Sequence, residues 1–191
     1  RKKIALVGSE VKAPKYYDLI VGCAIEPLVK DALTSDNVRY ISGNPLTGTK
    51  VDLDGFLGYY DNQITVLPEG DYLDFFLTDG WMGLGLNKFS MSKSYLNWLM
   101  PNKEYTLTTK LNGELRSFVV TGEMEKVFPF DIYPMQLIKA IMINDIDAME
   151  QLGIYEVDAE DFALCEFINT SKIDIQDIVR NGMETLREEL Y

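Results

Sequence analysis

The 191-residue chain contains no histidine and only two cysteines, Cys23 and Cys165. Without imidazole there is no Ser-His or Cys-His pair and no His-ligated metal. Two thiols are too few for a four-thiolate zinc or iron–sulfur site, and their default state is reduced and buried in a cytosolic protein. Positive charge is also scarce. Lys and Arg number 18 against 30 Asp and Glu, leaving a net charge of −12. That balance argues against a phosphate-neutralising face for nucleic acid and against direct docking on an anionic lipid leaflet. Long apolar runs are missing as well. The greasiest stretch, Phe128 to Ile143, is broken by Asp131, Pro134 and Lys139, short of the ~18 consecutive apolar residues of a spanning helix. The chain opens Arg1-Lys2-Lys3-Ile4 with no Met and enters a strand-like segment at once, so the expectation is a soluble piece of a longer polypeptide without a signal peptide.

What is present is an ordinary globular composition, 47% apolar and 25% charged, at a length that allows one large domain or two small ones. The pattern changes along the chain. Residues 1–128 read as β-rich, with apolar or alternating runs at Ile4–Val7, Val38–Ile41, Gln63–Leu67 and Leu115–Val120. Asn112-Gly113, between Tyr105–Thr109 and the last of these runs, predicts a hairpin. One short helix is expected near Ile25 to Leu33, with Pro27 in its first turn and Leu28, Val29, Ala32 and Leu33 on one face.

Residues 129–191 read as a helical bundle. Asp131 is a candidate cap and Pro134 a first-turn residue for a helix burying Leu137, Ile138, Ile141 and Met142. Asp145 or Asp147 caps a second helix closed by Gly153. Asp158 caps a third, with Phe162, Leu164, Cys165 and Ile168 as its apolar contacts, and Ile175, Ile178, Val179, Leu186 and Leu190 mark a fourth. This half is strongly acidic, with 13 acids and 3 bases from Asp145 to Tyr191.

The motifs that could hold chemistry each meet a plainer reading. Gly43-Asn44-Pro45-Leu46-Thr47-Gly48-Thr49-Lys50 has the glycines of a phosphate loop, but Lys and Thr are in the wrong order and no helix start follows, so a turn between short strands is expected. Gly80-Trp81-Met82-Gly83-Leu84-Gly85 reverses the dinucleotide fingerprint and reads as a surface loop, with Trp81 and Met82 as apolar contacts for a partner or for the sheet. Glu156, Asp158, Glu160 and Asp161 lack the alternation and central Gly of a calcium loop and suit a helix start. Cys165 reads as a packed small hydrophobe, since an acidic stretch offers nothing to stabilise a thiolate. On these grounds no catalytic, cofactor-binding or metal residue is assigned.

Two ordered stretches carry a family resemblance. One is Glu125-Lys126-Val127-Phe128-Pro129-Phe130-Asp131-Ile132-Tyr133-Pro134, continuing through Asp145-Ile146-Asp147, Leu152-Gly153 and Glu156-Val157-Asp158-Ala159-Glu160-Asp161-Phe162-Ala163-Leu164-Cys165. The other is Ser42-Gly43, Leu46-Thr47-Gly48, Phe56-Leu57-Gly58-Tyr59-Tyr60-Asp61-Asn62-Gln63-Ile64 and Glu69-Gly70. Together they resemble the C-terminal half of the A-subunit family of the sodium-translocating NADH:quinone reductases. That family is related to the C-subunit of the Rnf complex and to the NADH-binding flavoprotein of respiratory complex I.

The resemblance implies an α+β architecture: a β-grasp domain of the soluble-ligand-binding type, opening around Val7-Gly8, Val11, Pro14 and Tyr17, then the helical bundle. Rossmann-like and carrier-like regions are expected upstream of Arg1. In redox-active cousins the bundle holds an iron–sulfur cluster. Here the family's A-L-C-x-F-x-C-P-x-K reads Ala163-Leu164-Cys165-Glu166-Phe167-Ile168-Asn169-Thr170-Ser171-Lys172, so the second thiol is Asn169 and no cluster is expected. The implied function is that of a cofactor-free accessory component in a respiratory complex coupling NADH-to-ubiquinone electron transfer to sodium export. Flavins and iron–sulfur centres are expected in its partner subunits. Those partners include membrane-embedded subunits, and the implied location is peripheral, on the cytoplasmic side of the bacterial inner membrane. The alternative is a module that binds a small ligand or quinone headgroup through Tyr59, Tyr60 or Trp81.

Overall fold

The computed structural model describes residues 1–73, 75, 82, 84–90 and 95–190. The chain divides into two compact units, Arg1–Lys110 and Leu111–Tyr191. The architecture is mixed α/β, a five-stranded sheet in the first unit and helices in the second.

In the first unit, β1 (Lys2–Val7), β2 (Lys15–Leu19), β3 (Val38–Ser42), β4 (Thr49–Val51) and β5 (Gln63–Pro68) form one sheet in the order β2-β1-β5-β3-β4. The central pair β1–β5 is parallel, with Leu6 opposite Ile64, and the other three pairs are antiparallel. Period-two alternation points Ile4 and Leu6 to one face, where they are fully buried with Ile64 and Val66. That face is covered by α1 (Glu26–Val29) through Ile25 and Val29, and by Val11 and Leu57. Gly8, with φ +127°, turns the chain out of β1 where an added Cβ would lie 2.0 Å from the Val66 carbonyl oxygen, so only glycine fits.

The second unit is built from α2 (Pro134–Met142), α3 (Ile146–Gln151), α4 (Ala163–Ile168) and α5 (Ile175–Leu190), with 3₁₀ turns between them. Its core gathers Met135, Leu137, Ile138, Met149, Ile154, Phe162, Ile175 and Val179, all essentially without exposure. The Phe162 ring lies 4.7 Å from that of Phe128. Gly182 lets α5 close on α2, since a Cβ there would sit 2.7 Å from Ile141 Cγ2. The unit begins at Leu111, upstream of the composition break at residue 128, because Met124 and Phe128 are buried in the helical core.

Several local expectations are corrected. No hairpin forms around Asn112-Gly113: Leu115, Val119 and Val120 are exposed, and the segment is held instead by the Arg116 amide donating to the Ser171 carbonyl at 2.9 Å. Asn112 does take the left-handed conformation, φ +50°. Alternation without a partner strand does not make a ladder. The cap position of α2 is Tyr133 with no side-chain hydrogen bond, so Asp131 does not cap it. Met142 at its end is 51% exposed, and Leu164 on α4 is 48% exposed rather than core. The helix expected to reach Leu33 is a single turn, although Leu28, Ala32 and Leu33 still pack on the sheet core. By contrast Asp145 caps α3, accepting the Ala148 amide at 3.0 Å, and Gly153 ends it at φ +89°.

Candidate functional site

The most built surface feature of the sheet unit is the loop Gly55–Asn62. Leu57 is its anchor, 3% exposed, while Phe56, Tyr59 and Tyr60 stand out at 65, 72 and 88%. Its backbone is clamped along its length. Ile25 N–H donates to the Gly55 carbonyl, Leu57 N–H to the Cys23 carbonyl, and Ala5 N–H to the Asn62 carbonyl. Ser42 Oγ accepts the Gly58 N–H at 2.9 Å and donates to Asp61 Oδ2. Lys2 Nζ donates to the carbonyls of Tyr60 and Asp61. An added Cβ at Gly58 would lie 2.4 Å from Asp61 Oδ2, so the glycine is what lets the carboxylate approach. Tyr59 and Tyr60 pack edge to face with centroids 5.1 Å apart. The result is rigid aromatic surface turned outward, a geometry suited to recognition rather than to bond making.

Sequence reasoning does not single out Ser42 and Asp61 as a pair; nothing in their spacing says that β3 and the aromatic loop meet. The same holds for Arg39, whose guanidinium donates to both oxygens of Glu69. Thr109 Oγ1 adds a hydrogen bond to that carboxylate and accepts the Gly70 N–H. The Arg39 hydrogen bond, above all, holds the Glu69 carboxyl below its usual range.

The segment Gly43–Lys50 is a turn between β3 and β4, as its sequence suggests. Asn44 Oδ1 accepts the amides of Leu46 and Thr47 at 2.8 and 3.0 Å, and Gly48 N–H donates to the Asn44 carbonyl. Those amides point inward to an Asx turn and are not available to cradle a phosphate. An open groove of about 350 Å³ lies elsewhere on the unit, lined by Lys3, Tyr16, Tyr17 and Asp18. Tyr59 and Tyr60 do not line it. Trp81, the third candidate aromatic, and most of Gly80–Gly83 lie outside the described residues; Met82 is 54% exposed.

In the helical unit Cys165 is fully buried, and its Sγ donates to the Met124 carbonyl at 3.9 Å. Burial, then the neighbouring Glu125 carboxylate, pushes its pKa up to about 12, which makes it a poor nucleophile. Asn169 is 6% exposed; its Oδ1 accepts the Ser171 amide at 3.1 Å and so helps turn the chain after α4. One thiol and one carboxamide do not fit the thiolate set of an iron–sulfur cluster. Asp158 and Asp161 form a capping box, the Asp161 carboxylate accepting the Asp158 amide at 2.8 Å. Glu156 and Glu160 are exposed beside it. Among the described residues no group of three or more acids and cysteines is arranged to hold a metal ion. Cys23, half-buried in the sheet unit, also has its pKa raised by burial.

Comparison with known proteins points one way. Residues 3–52 match the family model described as NQRA C-terminal domain. The chain is 35% identical over 191 residues, 99% of its length, to the A-subunit of Na(+)-translocating NADH-quinone reductase from Rhodopirellula baltica. It is 36% identical over 97% of its length to the proteins of the same name from Shewanella frigidimarina and Vibrio atlanticus. In each case it spans 41% of the relative's length, about two fifths.

Proposed function

Nearly all of this chain is similar to one part of the A-subunit of Na(+)-translocating NADH-quinone reductase, and on that premise we propose that it serves as a cofactor-free accessory element of such a complex. Its role is assembly, within an enzyme that passes electrons from NADH to ubiquinone and exports sodium. The partners are the other subunits, membrane-embedded ones included, which hold the flavins and iron–sulfur centre. It sits at the cytoplasmic face of the membrane as a peripheral part; no described helix is long and apolar enough to cross one. We further propose that the sheet unit is a β-grasp domain of the soluble-ligand-binding type. The order β2-β1-β5-β3-β4, with a parallel central pair and α1 between β2 and β3, supports that reading.

The observation that carries the assembly role is the interior of the helical unit. Where redox-active cousins supply thiolates, Cys165 is packed among apolar side chains and Asn169 shapes a turn. The test is purification of the full-length protein, tagged, with its complex from bacterial membranes. Co-purification of the other subunits is expected, with no iron or flavin remaining on this polypeptide after dissociation under anaerobic conditions. Stoichiometric iron or flavin bound to it would overturn the proposal.

A second reading follows from the clamped aromatic loop: Phe56, Tyr59 and Tyr60 could stack on a planar small molecule such as a quinone headgroup. Saturable heat on titration with a soluble quinone, lost in Tyr59→Ala, would favour it over assembly alone.

A further inference from the structure

Around α3, exposed apolar side chains and exposed carboxylates lie close together in the chain. Helix α3 turns Met149 fully, and Ile146 and Ala148 partly, into the core, which leaves Asp147, Glu150 and Gln151 facing outward. Ile143, 73% exposed, and Met142, 51% exposed, lie just before the α3 cap. Tyr155, 59% exposed, lies just beyond its end and donates to Glu150 Oε1 at 2.6 Å. Met142 and Ile143 close α2 just before the α3 cap, and Tyr155 is held to α3 through Glu150, so exposed apolar side chains flank the outward acids of α3 at both ends. Between Lys139 and Lys172 the sequence has eight acids and no base, and no ion pair is found in this segment among the described residues. On α5, two of the exposed acids, Asp177 and Glu184, pair with Arg180 and Arg187.

We propose that this face, Met142–Ile143 through α3 to Tyr155, is the docking surface for an apolar protein segment rich in Lys and Arg. Charge complementarity selects the occupant. A second copy would bring the same carboxylates against themselves, and an anionic leaflet would repel them. The inference rests on the assembly role proposed above and makes it specific. Membrane-embedded proteins concentrate Lys and Arg in their cytoplasmic loops, so the partner is such a loop of a membrane-embedded component.

The test compares full-length protein in its complex with three variants: Asp147→Lys/Glu150→Lys, Ile143→Ser, and Glu188→Lys/Glu189→Lys. The last makes the same change in net charge on α5. Retention of the other subunits should fall about tenfold in the first two and stay within about twofold in the third, and raising the salt should weaken the parent in the same way. In parallel, the 191-residue chain is titrated with a synthetic amphipathic Leu/Lys peptide, whose binding should be lost in Ile143→Ser.

Retention unchanged in the α3 variants, or lost equally in the α5 control, overturns the docking face and leaves the assembly role standing. If the parent itself retains none of the other subunits, the assembly role fails; peptide binding that depends on Ile143 then still upholds the surface, and its absence overturns both. A dimer abolished by Ile143→Ser, or binding to phosphatidylserine vesicles through this face, would also overturn the proposal.

Discussion

In the sheet unit the groups that fix the backbone outside the strands are polar side chains. Ser42 and Asp61 clamp the aromatic loop, Asn44 closes the β3–β4 turn, and Arg39, Glu69 and Thr109 tie the end of β5 to residues 109–110. In the helical unit the equivalent work falls to apolar packing. Phe162, Met135, Leu137, Met149 and Ile175 interlock, and polar side chains cap helix starts at Asp145 and Asp158. The difference teaches where each unit can tolerate exposed apolar surface. A hydrogen-bonded loop can turn three aromatics outward because its conformation does not depend on burying them. A helix keeps its fold through its inward stripe, and its outward stripe is free to carry charge and contact residues.

The comparison breaks most readily at Phe162. Phe162→Ala should cost about 3–5 kcal/mol, the range for deleting a buried aromatic. Hydrogen exchange should then accelerate through α2–α5 while the amides of β1 and β5 keep their protection. Simultaneous loss in both units would show one cooperative structure and erase the contrast. Next comes Gly182→Ala. Helix propensity alone favours alanine by about 1 kcal/mol, but the new methyl would press on Ile141 at 2.7 Å. The expected outcome is a net loss of about 1–3 kcal/mol, as for overpacking, and a smaller loss when the same change is made in an Ile141→Ala background, which removes Cγ2. Denaturant midpoints of the single and double variants decide it. In the sheet unit Ser42→Ala removes one donor to a carboxylate and one acceptor of the Gly58 amide, worth about 1.5–3 kcal/mol. Exchange at residues 56–61 should rise with little change in α2–α5. No local effect there would mean the loop is not clamped by this pair.

The sequence is most legible where one rule acts alone. Alternation locates β1, β3 and β5, and Asp145 with Gly153 bounds α3, because period and capping are local. It is less legible where tertiary partners decide. Lys15-Tyr16-Tyr17-Asp18-Leu19 has no clean alternation yet forms the edge strand β2, since β1 supplies its ladder. Leu115–Val120 alternates yet finds no strand. At the candidate site the aromatics of Phe56–Tyr60 are visible as residues, whereas the clamp is not: Ser42 and Asp61 are 19 positions apart and meet only through the sheet. The acidic segment after Lys139 is visible in composition, but that Ile143 and Tyr155 stand exposed on either side of α3 is seen only in the structure.

The smallest expected effect, at Glu69, belongs to a comparison of the units read by pH. Glu69 has a lowered carboxyl pKa because Arg39 hydrogen-bonds it, so its contribution is present above the ordinary carboxylate value and is lost as pH falls through the lowered one. The pair is partly exposed, 31 and 20% for the two side chains, so the gain is at most about 1 kcal/mol. Cys165 behaves oppositely. Its folded pKa of about 12 exceeds that of a free thiol, so the unfolded chain ionises first as pH rises beyond about 8.5, and stability declines from there towards the folded value. Glu69 therefore contributes an acid loosening of the sheet unit and Cys165 an alkaline loosening of the helical unit, while burial of Cys23 and Tyr40 adds an alkaline loss in the sheet unit. Glu69→Gln should flatten only the acid limb of a stability profile, and Cys165→Ala only the alkaline limb. If Glu69→Gln changed the alkaline limb, or Cys165→Ala the acid limb, these two groups would not be the source of the dependence.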